Sequence, residues 1–241
     1  MTQDHTIASD RSFLARLTGR IRHGLLAQEL LDRLARAGLV LYPYYVVLED
    51  ACGAQAATLD PRITMRPLGP QDGPEIARIA LRELNAEGIR ELMTTASCVG
   101  VFCDGQLAGY TWASLTRVPI PGGGAGQTLF DLAPDEAYLF DMYIASQYRG
   151  LRLAERLRGE SYRQLAAQGR TRFYSITLAF NRSSRRFKAQ LGAREVELRL
   201  QMHLHLGRLP GLDLRLQRTL KSLRSPAVRR VSPVTRKRAG D

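Results

Sequence analysis

The stretch Asp141-Met-Tyr-Ile-Ala-Ser-Gln-Tyr-Arg-Gly-Leu-Arg-Leu-Ala154 decides the fold of this 241-residue chain. It reads as the end of a strand, a short turn that holds Arg149 and Gly150, and the start of a basic helix. The first N–H groups of a helix have no partner within the helix, and they lie at the positive end of its dipole. Gly150 lets the backbone approach a ligand closely, and Arg149 and Arg152 add positive charge. The stretch therefore predicts a site for an anion such as phosphate or pyrophosphate.

Hydrophobic periodicity predicts alternating strands and helices on both sides of this stretch. Predicted strands cover 39–48, 63–67, 98–103, 107–115, 136–145, 171–179 and 195–206, and predicted helices cover 12–37, 74–85, 87–94, 150–168, 183–191 and 209–220. Asp104-Gly105 predicts a hairpin turn, and residues 116–135 predict a loop. Apolar and polar residues alternate over 195–206, which is typical of a half-buried strand. This order predicts an α/β fold with a mixed sheet and helices on its faces.

The net charge of +12 is unevenly distributed. It divides into −1 for an N-terminal helix–strand extension (1–61), +5 for the main domain (62–206) and +8 for a basic C-terminal tail (207–241). Within the main domain, residues 149–194 alone carry a net +10, and the positive charge implies an anionic partner: nucleic acid, an anionic membrane or a phosphate-bearing small molecule. The tail is a separate feature, and we expect 224–241 to be disordered.

Several classes of protein are excluded by composition. The longest nearly apolar run, 39–48, is much shorter than the roughly 20 residues of a membrane-spanning helix. Cys52, Cys98 and Cys103 have no CxxC spacing, and 1–10 lacks the layout of a signal peptide, so we expect a cytoplasmic protein with reduced thiols. The helix over 12–37 either packs on the main domain or lies on a membrane surface, which would make a peripheral membrane contact possible.

Two segments resemble the GCN5-related N-acetyltransferase (GNAT) superfamily. The acetyl-CoA loop of that family reads Arg/Gln-x-x-Gly-x-Gly/Ala, and here Arg149 and Ala154 match while Arg152 replaces the usual glycine. The family's Asn-x-x-Ala-x-x-Leu-Tyr-x-x-x-Gly segment is similar to residues 181–192, where the small residue and the large apolar residue are kept and lysine replaces tyrosine. The residues that carry this second resemblance are Asn181, Ser184, Phe187, Lys188 and Gly192. The resemblance covers about 63–206 and implies the GNAT acyltransferase fold.

The resemblance implies direct transfer of an acetyl group from acetyl-CoA, a co-substrate, to an amine acceptor in a ternary complex. Main-chain N–H groups of the strand would bond the pantetheine arm and polarise the thioester carbonyl. The implied cofactor-binding residues are Met142, Tyr143, Ile144, Arg149, Gly150, Leu151, Arg152, Leu153, Ala154, Asn181, Ser184 and Phe187. Arg152 could reach over the phosphates of CoA in place of the missing glycine.

The family often uses a carboxylate on this strand as the base, and Asp141 and Glu136 are the candidates. They lie five residues apart, so a regular strand directs them to opposite faces unless a bulge intervenes. Asp141 is favoured. Lys188 would protonate the leaving thiolate, neutralise it, bind a CoA phosphate or face solvent, and Tyr143 and Tyr174 are other possible acids.

Other features leave further alternatives open. His203 and His205 are too few for a metal centre, so no metal is expected. The loop 122–126 resembles a phosphate loop without its lysine, and it is expected to border the acceptor cleft. A non-catalytic acyl-CoA-binding module and a nucleic-acid-binding protein that uses the basic tail remain the alternative functions, although nucleic acid is the less favoured partner. The acceptor and the oligomeric state are not determined by the sequence.

Overall fold

A computed structural model describes residues 25–49, 60–80, 85–121, 127–205 and 213–222. These residues form two compact units. The larger unit holds 48–49, 60–80, 85–121, 127–175 and 190–194, and the smaller unit holds 25–47, 176–189, 195–205 and 213–222.

The larger unit is built on a mixed sheet. Its elements are β2 (Ile63–Leu68), α2 (Gly73–Ile79), α3 (Ala86–Thr95), β3 (Ala96–Cys103), β4 (Gln106–Ser114), β5 (Arg117–Pro119), β6 (Thr128–Asp131), β7 (Glu136–Ile144), α4 (Leu153–Ala167) and the first half of β8 (Arg172–Leu178). The strand order is β8-β7-β4-β3-β2, in which β7 and β8 are parallel and the other pairs are antiparallel. Strands β5 and β6 form a separate two-stranded ribbon.

Helices cover both faces of this sheet. Ile76 of α2 and Ile89 of α3 are fully buried against Trp112 and Tyr110 on one face, which we call the α2–α3 face. Helix α4 packs on the other face: Leu153 and Leu157 contact β3, while Tyr162 and Leu165 contact β7 and β8. The sheet, with β7 in it, therefore lies between two apolar layers.

The smaller unit holds α1 (Leu25–Arg36), β1 (Leu39–Glu49), the second half of β8, α5 (Arg182–Gln190), β9 (Arg194–His205) and β10 (Asp213–Ser222), in the strand order β10-β9-β1-β8. Arg185 links its elements, because the guanidinium bonds both carboxylate oxygens of Glu195 at 2.6 and 3.0 Å and lies over the ring of Tyr45. Strand β1, predicted over 39–48 in the N-terminal extension, is thus an internal strand between β9 and β8.

Four predicted elements are corrected by the structure. The helix predicted over 150–168 begins at Leu153, because Gly150 and Arg152 have left-handed backbone angles with φ of 89° and 55°. The helix predicted over 74–85 ends at Ile79, since Ala80 is extended. The predicted loop 116–135 contains the ribbon β5–β6. The helix predicted over 209–220 is wrong, because 213–222 is strand β10, paired with β9.

Strand β9 buries the row of residues that the sequence pattern marks as polar. Glu197, Arg199, Gln201 and His203 are each less than 9% exposed, whereas the leucines between them are only partly buried. Arg199 Nε donates to Glu197 Oε2 at 2.7 Å, so two of the buried charges compensate each other.

Some predictions lie outside the described residues: the first half of the 12–37 helix, the loop 122–126 and the disorder of 224–241. Among the described residues, the helices are all too short or too polar to cross a membrane. The predicted domain boundaries and the membrane contact stay predictions.

Candidate acetyl-CoA and acceptor site

The turn between β7 and α4 is open to solvent. Its four residues Arg149, Gly150, Leu151 and Arg152 are exposed, while Ala145 before it and Leu153 after it are buried. Ala145 N donates to Ala108 O at 2.9 Å, which fixes the start of the turn on β4. The structure therefore presents the predicted turn at a helix N-terminus as an accessible basic surface that could hold an anion.

Arg152 is the N-cap residue of α4, and its side chain does not point into the turn. Its Nε and Nη2 donate to Glu155 Oε2 at 2.9 and 2.6 Å, and the side chain is 76% exposed. The φ of 55° at Arg152 is a conformation that glycine adopts without strain, which gives a physical reason for the glycine of the family pattern.

Strand β7 has an unpaired extension on its β8 side within the described part of the chain. The parallel pairing joins Glu136–Tyr138 to Arg172–Tyr174 and ends there. Strand β7 continues to Ile144, and on its other side it stays paired with β4 as far as Gly109. Its main-chain groups from Leu139 onward can therefore accept a strand-like ligand on that side.

A β-bulge at Asp141 changes the direction of the side chains along β7. Asp141 has a φ of 48°, and the register with β4 shifts between Tyr110 and Trp112. Leu139 packs toward α4 before the bulge, and Met142 and Ile144 pack toward α4 after it. An extra residue in one strand has this effect, because side chains alternate with a period of two.

The bulge brings Asp141 to the α2–α3 face. Phe140 and Tyr143 both pack against the apolar cluster on that face, and Asp141 lies between them in the chain. The pKa of the Cys98 thiol is raised, first by burial and then by the negative charge of Asp141, so the carboxylate lies near Cys98. Cys98 itself is buried, and a thiol with a raised pKa is a poor nucleophile.

Glu136, the other candidate base, is held in contacts within the fold. It is 1% exposed, its Oε2 accepts the N–H of Ala133 at 2.9 Å, and its Oε1 lies 3.1 Å from Arg172 Nη2. The hydroxyl of Tyr174 donates to the same Oε1 at 3.3 Å. This geometry favours a structural role for Glu136.

Tyr174 is buried, and its phenol is a weak acid here. Burial and then the charge of Glu136 raise its pKa to about 12. Its ring lies edge-on to Phe130 of the ribbon, with 5.3 Å between ring centroids. These contacts and this pKa make Tyr174 an unfavourable proton donor at neutral pH.

Helix α5, in the smaller unit, carries the second family segment. Asn181 Oδ1 accepts the backbone N–H of Ser184 at 3.0 Å, so Asn181 caps the helix. Lys188 is 6% exposed, and its ammonium donates to Thr177 Oγ1 at 2.5 Å and to Ile176 O at 3.1 Å. Phe187 is half-buried.

Sequence reasoning left a bulge between Glu136 and Asp141 open without predicting it, and it missed the aromatic residues beside the bulge. The signal for the bulge is present in the sequence, because the aliphatic positions of β7 change phase from 137 and 139 to 142 and 144. The aromatic neighbours Phe140 and Trp112 are not part of any recognised sequence motif. Within the described residues, no three His, Cys, Asp or Glu side chains are grouped so that they could hold a metal ion.

A mixed sheet in which strand β7 leads into a basic turn and a helix is the arrangement that the resemblance to the GNAT family predicts. The model of the acetyltransferase (GNAT) family matches residues 70–193, which is more than half of the chain. The chain belongs to the GNAT acetyltransferase family. No curated protein sequence matches it.

Solved structures with related folds are distant in sequence. A GNAT-family protein from Novosphingobium aromaticivorans is 24% identical over 68% of this chain and 65% of its own, with a TM-score of 0.47. A Drosophila protein is 12% identical over 74% and 57%, with a TM-score of 0.51. A tandem GNAT protein from the clavulanic acid biosynthesis pathway is 16% identical over 64% and 50%, with a TM-score of 0.50. The chain thus spans half to two thirds of these proteins.

Proposed function

We propose that this chain is an acetyl-CoA-dependent N-acyltransferase that moves an acetyl group to an amine by direct attack in a ternary complex. The observation that carries the proposal is the course of β7, which loses its parallel partner after Tyr138 and then leads into a basic turn and a helix N-terminus. Membership of the GNAT family supports acyl transfer in general.

The turn from Arg149 to Ala154 fits the phosphates of acetyl-CoA. Three features support this: the exposure of residues 149–152, the left-handed angles at Gly150 and Arg152, and the positive end of the dipole of a 15-residue helix. Main-chain groups of Met142, Tyr143 and Ile144 bond the pantetheine arm. Acetyl-CoA supplies an activated acetyl thioester, and the chain supplies its alignment.

Asp141 is the proposed general base. It takes a proton from the acceptor ammonium, the amine nitrogen forms a bond to the acetyl carbon, and the carbon–sulfur bond breaks. The second proton of the nitrogen leaves to solvent, and the thiolate takes up one proton. Positioned acid–base groups contribute roughly 100- to 10,000-fold to rates.

Lys188 is the proposed acid for the thiolate, in the position of the family tyrosine. Its buried ammonium donates to Thr177 Oγ1 and to Ile176 O. Asn181 acts on the cofactor through the helix that it caps, and Ser184 and Phe187 remain predicted contacts. Glu136 is assigned to the positioning of β7 and β8.

Thiol release from acetyl-CoA with a panel of primary amines tests the proposal. We expect Asp141→Asn to lower kcat by at least 100-fold while the thermal shift caused by acetyl-CoA stays unchanged. Asp131→Asn, which alters an exposed carboxylate on the ribbon, is the matched control and should retain full activity. No thiol release with any amine, together with no thermal shift, contradicts the proposal.

A second candidate function, acyl-CoA binding without turnover, is favoured by the contacts of Lys188. Its ammonium is engaged by Ile176 and Thr177. A thermal shift with acetyl-CoA and no turnover of any amine would support this candidate.

A further inference from the structure

A row of aromatic rings lies on the α2–α3 face of β4 and β7. Trp112 is centred 6.5 Å from Phe140 with the ring planes 22° apart, and Phe140 is centred 5.4 Å from Tyr138 with the planes 10° apart. Tyr110 joins the row by edge contact with Trp112 at 6.5 Å and by a tilted contact with Tyr143 at 6.1 Å. We call these five residues the aromatic row.

The row has a buried layer and a partly exposed layer. Trp112 and Tyr110 are 0% and 1% exposed and form the base of the row. Phe140 and Tyr143 are partly exposed, and they flank Asp141 along the strand. The bulge at Asp141 therefore lies between two partly exposed aromatic residues in the strand, and the charge of Asp141 acts on Cys98 of the same apolar cluster.

This combination has a specific chemical preference. A carboxylate attracts an ammonium group, and aromatic faces add a cation–π attraction and stack favourably with other flat rings. The indole Nε1–H of Trp112 is buried in the same layer without a hydrogen-bond partner, so one donor in the row is unsatisfied.

We infer that the acceptor is a primary amine carried on an aromatic body, with its ammonium at Asp141 and its ring against Phe140 and Tyr143. The inference rests on the proposed function, because it assigns the acceptor of that reaction. It distinguishes this site from one for polyamines or sugars, which have no π system to stack against Phe140 and Tyr143.

Three acceptors of matched reactivity test the inference on the unaltered chain at saturating acetyl-CoA. They are 2-phenylethylamine, 2-cyclohexylethylamine, which has similar size but no π system, and spermidine. We expect kcat/KM for 2-phenylethylamine to exceed that for 2-cyclohexylethylamine by about 5-fold and that for spermidine by at least 50-fold. Equal values for the first two, or a preference for spermidine, overturn the inference.

A pair of variants tests the residues. Phe140→Leu should raise KM for 2-phenylethylamine about 10-fold, change kcat by less than 3-fold and leave KM for acetyl-CoA unchanged. Phe130→Leu is the control, because this ring lies on the ribbon against Tyr174 and outside the aromatic row. The same KM in both variants overturns the role of Phe140, and Tyr143→Leu provides a second test if Phe140→Leu does not fold.

The outcomes separate the two proposals. Transfer to polar amines without transfer to aromatic ones overturns only the acceptor class. Failure of every amine to release thiol overturns both the acceptor class and the acyltransferase function.

Discussion

Arg152 bonds Glu155 across the first turn of α4, through Nε at 2.9 Å and Nη2 at 2.6 Å to the same carboxylate oxygen. This contact directs the arginine along the helix that it caps, although its backbone has the left-handed angles of a glycine position. The residue that departs most clearly from the family loop is thus accommodated by a local ion pair.

Arg152→Gly should stabilise the chain and leave acetyl-CoA binding intact. The substitution removes left-handed strain of about 1–2 kcal/mol, and it loses only an exposed ion pair worth less than about 1 kcal/mol. Urea unfolding and calorimetric titration with acetyl-CoA measure both effects. Arg149→Ala, which removes one charge without altering a left-handed residue, should weaken binding severalfold. A tenfold loss of affinity in Arg152→Gly would mean that the arginine contacts the phosphates.

Lys188→Met should lower kcat at least 10-fold, whereas Lys188→Tyr should keep it within about 5-fold of the unaltered chain. Tyrosine restores a proton donor at this position, and methionine fills a similar volume without one. Steady-state rates at saturating acetyl-CoA give the comparison. Thr177→Val removes the hydroxyl partner and keeps the lysine, so it separates loss of the donor from disturbance of the strand. Equal rates for the Met and Tyr variants would exclude Lys188 as the acid.

Tyr174→Phe should remove a loss of stability at alkaline pH. The pKa of Tyr174 is raised to about 12 in the fold, above the ordinary value near 10, so its stabilising effect is complete below pH 10 and is lost as the pH rises toward 12. The loss in the free energy of unfolding amounts to about 2.7 kcal/mol at most. Urea unfolding from pH 8 to 11 should show a steeper decline in the unaltered chain than in the variant. Tyr148→Phe, which removes a partly exposed hydroxyl, is the control, and parallel declines would contradict the prediction.

Asp72→Asn should destabilise the chain by about 1–3 kcal/mol at pH 7. Its carboxylate accepts two bonds from Arg66 at 2.7 and 2.9 Å and one from the N–H of Gly69 at 2.8 Å, at the start of α2. The Arg66 guanidinium lowers the pKa of Asp72, so the stabilisation is present above the unfolded pKa near 4 and is lost as the pH falls through the lower folded value.

Urea unfolding at pH 7 and at pH 3 measures the effect of Asp72→Asn, and the difference from the unaltered chain should shrink at the lower pH. Glu75→Gln alters an exposed carboxylate on the same helix and should change the free energy of unfolding by less than about 0.5 kcal/mol. A similar loss in both variants would contradict a specific role for the Arg66–Asp72 pair.

Much of the fold could be predicted because its signals are local. The alternation of apolar residues predicted β3, β4 and β7. The residue types of Asp104-Gly105 predicted a hairpin turn, and both residues have the positive φ angles that such a turn requires. The anion-binding turn was also local, since one glycine and its arginines stand beside a helix start. The ribbon β5–β6 was missed because it has only three and four residues per strand.

The candidate site was only partly predictable. Asp141 and Glu136 looked equivalent as carboxylates on one strand, and the structure distinguishes them by their contacts: Glu136 bonds Ala133, Arg172 and Tyr174, while Asp141 lies on a bulge. The change of phase of the aliphatic positions in β7 is a sequence signal for the bulge, but the residues of β4 that lie opposite it depend on the register of the two strands, which the sequence of β7 does not contain.

The sequence by itself determined most of the strands and helices between residues 39 and 206, the basic turn at Arg149-Gly150 and the family to which the chain belongs, because short-range periodicity and motif spacing carry this information. Only the tertiary structure decided which side chains meet. It buried the polar row of β9, inserted β1 between β9 and β8, and placed a bulge at Asp141 in β7. The physical reason is that burial and pairing depend on segments distant in the chain, whose contacts form only when the sheet assembles.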